Sequence, residues 1–260
     1  MTWIVDALSV ASGSLVGFTL GLVGGGGSIL AMPLMIYAVG VTSTHVAIGT
    51  SAVAVAASAA ANLAGHARAG TVKWRCALVF AAAGIAGAAG GAELGKMVDG
   101  HRLLLLFGAL MIVVGLLMAR PRRSDGEADI QLTRENALRL LPLLIGYGLG
   151  VGALAGFFGI GGGFLIVPGL VAATGMPLIN AIGSSLVSVT AFGMTTAASY
   201  SFSGLVDWRL AATFVVGGAL GGALGILLGR RLAVRKRALS LAFSAIVTTV
   251  GLYVVASSLR

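Results

Sequence analysis

The stretch GGGGSILAMP at residues 24–33 returns as GIGGGFLIVP at residues 159–168, and reading the two as one motif used twice decides the fold. Each glycine cluster interrupts an apolar run that would otherwise pass for a single transmembrane segment. The similarity continues outward from the motif. Gly40 matches Gly175 at the same offset, and after one deletion AIGTS (residues 47–51) falls on AIGSS (residues 181–185). Farther along, GTVKWR (70–75) falls on GLVDWR (204–209), and Gly84, Gly87, Gly91 and Gly95 fall on Gly218, Gly221, Gly225 and Gly229. Several motifs in one order leave chance a poor explanation. Small residues spaced by three or four also let helix backbones approach closely in lipid. The chain is read as an internal duplication.

Composition identifies the solvent. Hydrophobic residues make up 58% of the chain and charged residues 10%, with a mean hydropathy of +1.03. Soluble domains carry about a quarter charged residues, and a soluble core of this size would need a charged surface that this sequence cannot supply. No Lys, Arg, Asp or Glu lies between Asp6 and His66, or between Arg139 and Asp207. Each interval far exceeds the roughly 20 apolar residues of one transmembrane helix.

The formal charge of +9 would suggest nucleic acid for a soluble protein, but here the basic residues sit in short gaps between apolar spans. The basic stretch 120–139 also holds Asp125, Glu127, Asp129 and Glu135 and has no aromatic residue to stack a base. No nucleic-acid partner is expected. Cys76 is the only cysteine, which rules out an internal disulfide, a CxxC pair or a multi-cysteine metal site; no metal or cofactor is expected. The N-terminus lacks the basic region of a cleaved signal peptide, since the first Lys or Arg is Arg68. The first apolar segment is therefore expected to remain as a span whose start faces outward.

Each half reads as an apolar segment, a glycine break, a short apolar segment with proline, a polar turn and three further spans. The expected segments are 7–23, 28–40, 44–65, 76–95 and 103–119, then 140–158, 163–174, 178–202, 210–229 and 238–258. Residues 1–119 form the first repeat, 120–139 a basic polar linker on the cytoplasmic side, and 140–260 the second repeat. If each half crossed four times, the 17 Lys and Arg would divide ten against seven between the two sides. If the broken segment turns back so that each half crosses an odd number of times, they divide thirteen against four. The positive-inside rule favours the second, and two odd-numbered repeats in one chain must lie inverted. A 13-residue segment such as 28–40 reaches only about 20 Å as a helix, which suits a re-entrant piece. The expected fold is an all-α polytopic membrane protein of two inverted-topology repeats, with eight full spans plus short broken segments, about ten segments in all. It would sit in the inner membrane with both termini outside.

Irregular backbone survives at membrane depth only where protein or a water-filled cavity satisfies it. Two breaks in corresponding places therefore point to a central site. Where the chain re-enters a helix, the N–H groups of Gly26, Gly27 and Ser28, and of Gly161, Gly162 and Gly163, would face the break, and a helix start carries about half a positive charge. Thr50 and Ser51 beside Gly49, and Ser184 and Ser185 beside Gly183, add hydroxyl donors. This set suits a small oxyanion. Packing alone would explain a single glycine cluster, but duplication at the start of both halves favours a substrate site.

Other polar residues carry bland readings. His45, in the turn TSTH, is expected to cap a helix or sit at the interface, with donation to a substrate as the alternative, and Asn62 and His66 are expected to sit at the interface. Glu93 and Lys96 look like a surface pair, with a proton-relay role for Glu93 as the alternative. Trp74 with Arg75 and Trp208 with Arg209 read as interface anchors. No HExxH or GxSxG is present and carboxylates are nearly absent from the spans, so no catalytic residue is assigned and the protein is not expected to be an enzyme.

With both glycine motifs, both AIG(T/S)S motifs and the GxVxWR echo, the sequence resembles the TauE/SafE sulfite exporter family over its whole length. That resemblance implies a secondary permease exporting sulfite, an organosulfonate or a related sulfur-containing oxyanion; the residues themselves specify only a small anion. In the family the first motif often reads GxGGG, and here Ser28 stands in place of its last glycine. The expectation is alternating access around an anion held between the breaks, with lipid as the surroundings and a homodimer allowed. A channel-like anion uniporter and a non-transporting membrane subunit are the alternatives.

Overall fold

A computed structural model describes residues 2–119, 136–159, 161, 163–232 and 236–259. The described residues are helical throughout, joined by short turns. In the first half α1 (Thr2–Val23) leads into a 3-10 helix (Gly24–Leu30), a single α turn, α2 (Ala31–Pro33), and a π-helical stretch (Leu34–Ala38). Then come α3 (Thr44–Arg68), α4 (Trp74–Met97) and α5 (Gly100–Ala119). The second half repeats the order with α6 (Ala137–Phe158), α7 (Gly163–Thr174), α8 (Leu178–Phe202), α9 (Trp208–Leu232) and α10 (Lys236–Ser258). Most of the expected linker, residues 120–135, lies outside the described residues.

Local chemistry sets the boundaries. Asp207 caps α9 by accepting from the N–H groups of Arg209 and Leu210, both at 3.0 Å, and Asp99 does the same for α5 through His101 and Arg102. Gly70 and Gly204, at matching places after α3 and α8, take φ of 67° and 69°, a left-handed turn that suits glycine. The proline-bearing segments differ between halves. Pro33 is followed by π-type bonding, with the Val39 N–H donating to Leu34 O at 2.9 Å, whereas Pro168 is accommodated inside α7. Helix α1 starts at Thr2 rather than near residue 7, because Asp6, expected to lie outside the span, is held by Arg209 of α9 at 2.6 Å.

The helix directions follow from residue-level contacts. A Cβ placed on Gly13 or Gly17 of α1 would overlap the carbonyl oxygen of Phe214 or Gly218 of α9, and one on Gly225 would overlap that of Phe18. Positions rise together, so α1 and α9 run parallel. Gly152 and Gly156 of α6 lie in the same way against Gly84 and Ala88 of α4, again parallel. Ser58 and Asn62 of α3 face Gly218 and Gly222 of α9, while Ser199 and Ser203 of α8 bond Glu93 and Lys96 of α4. Thus α1, α3 and α9 share one direction, and α4, α6 and α8 share another. Between the two sets the sense reverses: Gly49 of α3 lies against Tyr200 of α8, and Gly193 of α8 against Ala52 and Ala56 of α3. Helices α5 and α10 are also antiparallel, with Gly108 against Gly251 and Gly115 against Ser244. Every long helix of the first half therefore runs opposite to its counterpart in the second.

Because α1 and α3 point the same way, the chain between them must travel back through the thickness of the bundle. The broken segment is that return path. The same directions sort the charges. Arg68, Lys73, Arg75, Arg139, Arg230, Arg231, Lys236 and Arg237 fall at one end of the bundle, and Lys96, Arg102 and Arg209 at the other.

Seven of the helices formed by described residues are long and apolar enough to cross a membrane, with Gly163–Thr174 and Phe243–Ser258 among the shorter apolar ones. Large apolar side chains such as Leu94, Leu116, Leu220 and Leu224 point outward, as a lipid-facing surface requires. Trp74 and Trp208 are likewise exposed at the starts of α4 and α9.

Candidate functional site

The two glycine breaks are built differently. In the first half α1 passes directly into 3-10 turns from Gly24, so the N–H groups of Gly26, Gly27 and Ser28 fall within i to i−3 bonding rather than opening a new helix. This differs from the sequence expectation of a free helix start. The physical reason is that glycine permits the tighter winding, and Gly27 needs no side chain where it folds back on Thr19 and Leu20 of α1. Ser28 is fully buried.

In the second half the break is open. Gly159 ends α6 with φ of 67°, and Gly161 takes φ of 61°. Both lie in the left-handed region, where an L side chain is strained. Helix α7 then starts at Gly163. Gly159 abuts Ile48 of α3, and Gly161 faces Val55 of α3 and Val189 of α8, so this break lies across the central helix pair. Gly162 lies outside the described residues. The 24–30 stretch packs on α7, the short helix that follows the second break, and on α8.

The downstream motifs do a matched job in each half. Thr50 Oγ1 accepts the N–H of Asp207 at 3.0 Å, and Ser184 Oγ accepts the N–H of Lys73 at 2.9 Å. Asp207 and Lys73 are themselves repeat counterparts, one residue before Trp208 and Trp74. Each hydroxyl thus anchors the start of a fourth helix from the other half. Ser51 and Ser185 donate to Ile48 O and Ile182 O in their own helices, at 3.0 and 2.8 Å. Gly49 lets the turn carrying Leu205 pass close by, and Gly183 does the same for Thr71.

The twelve sequence-derived site residues do not converge on one point. Antiparallel packing puts Gly49 level with Tyr200 and Gly183 level with Thr71. The triplets Gly49, Thr50, Ser51 and Gly183, Ser184, Ser185 are therefore roughly 25 Å apart along the axis at 1.5 Å per residue. The first triplet adjoins the second half's break through Ile48. A cleft of about 260 Å³ between α1, the first broken segment and α10 is lined by Leu15, Leu30, Pro33, Leu34, Tyr37, Ala38, Ile246, Val250 and Tyr253. Its lining is almost wholly apolar, so it does not suit an anion.

Other residues fall near their expected roles, with one correction. His45 Nε2 lies 3.2 Å from Val98 O, tying the start of α3 to the α4–α5 turn. Lys96 donates to Glu93 at 2.8 Å, and Ser199 also donates to Glu93, so the surface pair also bridges α4 to α8. Asn62, read from sequence as interfacial, is only 3% exposed. The correction comes from α3 running to Arg68, which leaves Asn62 inside the bundle against Gly222. Ser58, Asn62, Ser188 and Thr196 have buried polar atoms with no hydrogen-bond partner. Ser58, Ser188 and Thr196 were missed because serine and threonine are ordinary packing residues in membrane helices. The spacing of Ser58 and Asn62 by four on α3, and of Ser188 and Thr196 by eight on α8, was the available clue.

Comparison with known proteins finds relatives along most of the chain. The family described as sulfite exporter TauE/SafE matches residues 9–254. A probable membrane transporter protein of Xylella fastidiosa (strain 9a5c) is 53% identical over 248 residues, covering 95% of this chain and 94% of that protein. The probable membrane transporter protein YunE of Bacillus subtilis is 28% identical over 227 residues, covering 80% of this chain and 82% of its own. MJ0441 of Methanocaldococcus jannaschii, also called a probable membrane transporter protein, is 27% identical over 208 residues, covering 76% and 72%. No solved structure matches.

Proposed function

This chain belongs to the sulfite exporter TauE/SafE family and is a membrane transporter rather than an enzyme; from that premise we propose that it exports a small sulfur-containing oxyanion, such as sulfite or an organosulfonate, by alternating access. The anion is held at the second glycine break by backbone N–H groups around Gly161 and Gly163, with the Gly26, Gly27 and Ser28 stretch as the wall from the other half; the hydroxyls beside Gly49 and Gly183, roughly 25 Å apart, meet the anion at different stages of its passage. One observation carries the reading. Two interrupted segments, one from each half, pack together across a central pair of antiparallel helices. That arrangement supports a substrate site at the pseudo-symmetry centre of inverted repeats. Rocking one set of parallel helices against the other opens it to each side in turn.

The charge distribution supports an inner-membrane orientation with the basic end in the cytoplasm and both termini outside. Export of an anion from a negative interior gains about 2.3 kcal/mol per charge at 100 mV, so the membrane potential alone can drive it. The test is flux in proteoliposomes against sulfite, sulfoacetate, taurine, sulfate and thiosulfate. Saturable flux of one or more of these anions, with competition among them, is expected. The reading fails if none moves and none competes.

A further inference from the structure

We propose that Ser58 and Asn62 of α3 form an oxyanion-binding subsite that the second half of the chain lacks. The inference rests on the anion-transporter reading and deepens it by assigning recognition to one side of the pseudo-symmetric bundle.

Ser58 and Asn62 stand one helical turn apart, 2% and 3% exposed, and the Ser58 hydroxyl and the Asn62 amide nitrogen have no partner. Both face α9. The Ser58 hydroxyl fills the space that a Cβ on Gly218 would take, and the Asn62 amide lies beside Gly222. Leaving such donors buried and unmade is costly, and in lipid no water from outside can relieve them. A ligand that accepts hydrogen bonds is the natural occupant once α3 and α9 part.

The counterparts of Ser58 and Asn62 are Phe192 and Thr196 of α8. Phe192 stacks on Phe80 with centroids 6.3 Å apart, and its ring fills the notch at Gly84 that corresponds to Gly218. That interface is held further by the bonds from Ser199 and Lys96 to Glu93 and from Lys96 to Ser203. Thr196 also lacks a partner, but its notch is closed by a phenyl ring and a polar clamp, whereas the notch at Gly218 and Gly222 is filled only by two idle donors. The subsite also lies close to the first break. Gly225, about one turn beyond Gly222, lies against Phe18, the residue before Thr19, on which Gly27 of that break folds back. Neutral donors suit a carrier, because they bind an oxyanion without the fixed positive charge that would hinder its release.

Two measurements on the full chain test the subsite, each variant first being checked for insertion and monodisperse extraction. In proteoliposomes with sulfoacetate, Asn62→Ala is expected to raise the half-saturating concentration about tenfold, the worth of one hydrogen bond to a charged group. Asn62→Asp, which sets a carboxylate where the anion would bind, stops transport, and Thr196→Val stays within about twofold of the parent. Parental behaviour of both Asn62 variants, or an equal defect in Thr196→Val, overturns the proposal. In a Cys76→Ser background, Asn62→Cys is expected to react with an anionic methanethiosulfonate in membrane vesicles, more slowly with sulfate present, and Thr196→Cys is expected to stay inert. Equal reactivity at both positions, or none at either, also overturns it. If the parent carries no anion in the panel yet Asn62→Cys shows sulfate-sensitive labelling, the export reading falls and the subsite stands.

Discussion

Ser184 of α8 accepts a hydrogen bond from the backbone N–H of Lys73 at 2.9 Å, and Thr50 of α3 repeats the contact with Asp207 at 3.0 Å. Each bond crosses from one half to the other. Removing the acceptor takes that bond from a partly buried N–H, so Ser184→Ala and Thr50→Val should each lower stability by about 0.5–1.5 kcal/mol. The two losses should be similar in size and additive, given their separation. Thermal unfolding in detergent measures them. Lost transport at unchanged stability would instead place these hydroxyls on the substrate alone.

Gly161 adopts φ of 61°, and a β-branched residue there is strained by about 1–2 kcal/mol. Gly161→Val and Gly26→Val should abolish transport while the protein still inserts and extracts as a folded species. Normal flux through both would reduce the breaks to packing devices.

Gly152 of α6 and Gly17 of α1 admit backbone from α4 and α9 at distances that leave no room for a methyl group. Gly152→Ala and Gly17→Ala should each cost about 1–3 kcal/mol. Gly90→Ala and Gly146→Ala, whose Cβ would meet nothing within 4 Å, should stay within about 0.5 kcal/mol of the parent. Equal effects in the two groups would contradict the helix pairing.

Arg75 and Arg209 begin α4 and α9 at opposite ends of the bundle. With Cys76 replaced, Arg75→Cys should react with an impermeant thiol reagent only from the cytoplasmic face, and Arg209→Cys only from the outside. Labelling of both from one face would sink the inverted arrangement.

Glu93 is 64% exposed and already paired with Lys96. Glu93→Gln should change stability by less than about 1 kcal/mol and leave the pH dependence of transport as it was. A lost pH dependence would revive a proton-relay role for Glu93.

Much of the fold was legible because duplication, glycine spacing and charge gaps are all one-dimensional features. Matching GxVxWR to itself located the turns before α4 and α9, and counting basic residues indicated an odd number of segments per half. What escaped was three-dimensional. Nothing in the sequence tells that α1 packs on α9 rather than on α4 of its own half, or that Thr50 reaches the N–H of Asp207. The site was legible only as an inventory of types. Antiparallel packing, which the local pattern does not encode, separates the Thr50 and Ser184 motifs. The interfacial reading of Asn62 failed because the span ran longer than its apolar stretch, carrying a polar residue into the core.

The exchange of partners between halves bears on how the chain is made. When α4 leaves the ribosome, its glycine face at Gly84, Gly87 and Gly91 has no partner, because α6 is not yet synthesised. Helix α1 waits longer still, until α9 emerges. Neither half can close on itself, so the insertion machinery or surrounding lipid must shelter these bare backbone faces until the second half arrives. A chain truncated after its first repeat is an unfinished surface and not a smaller transporter.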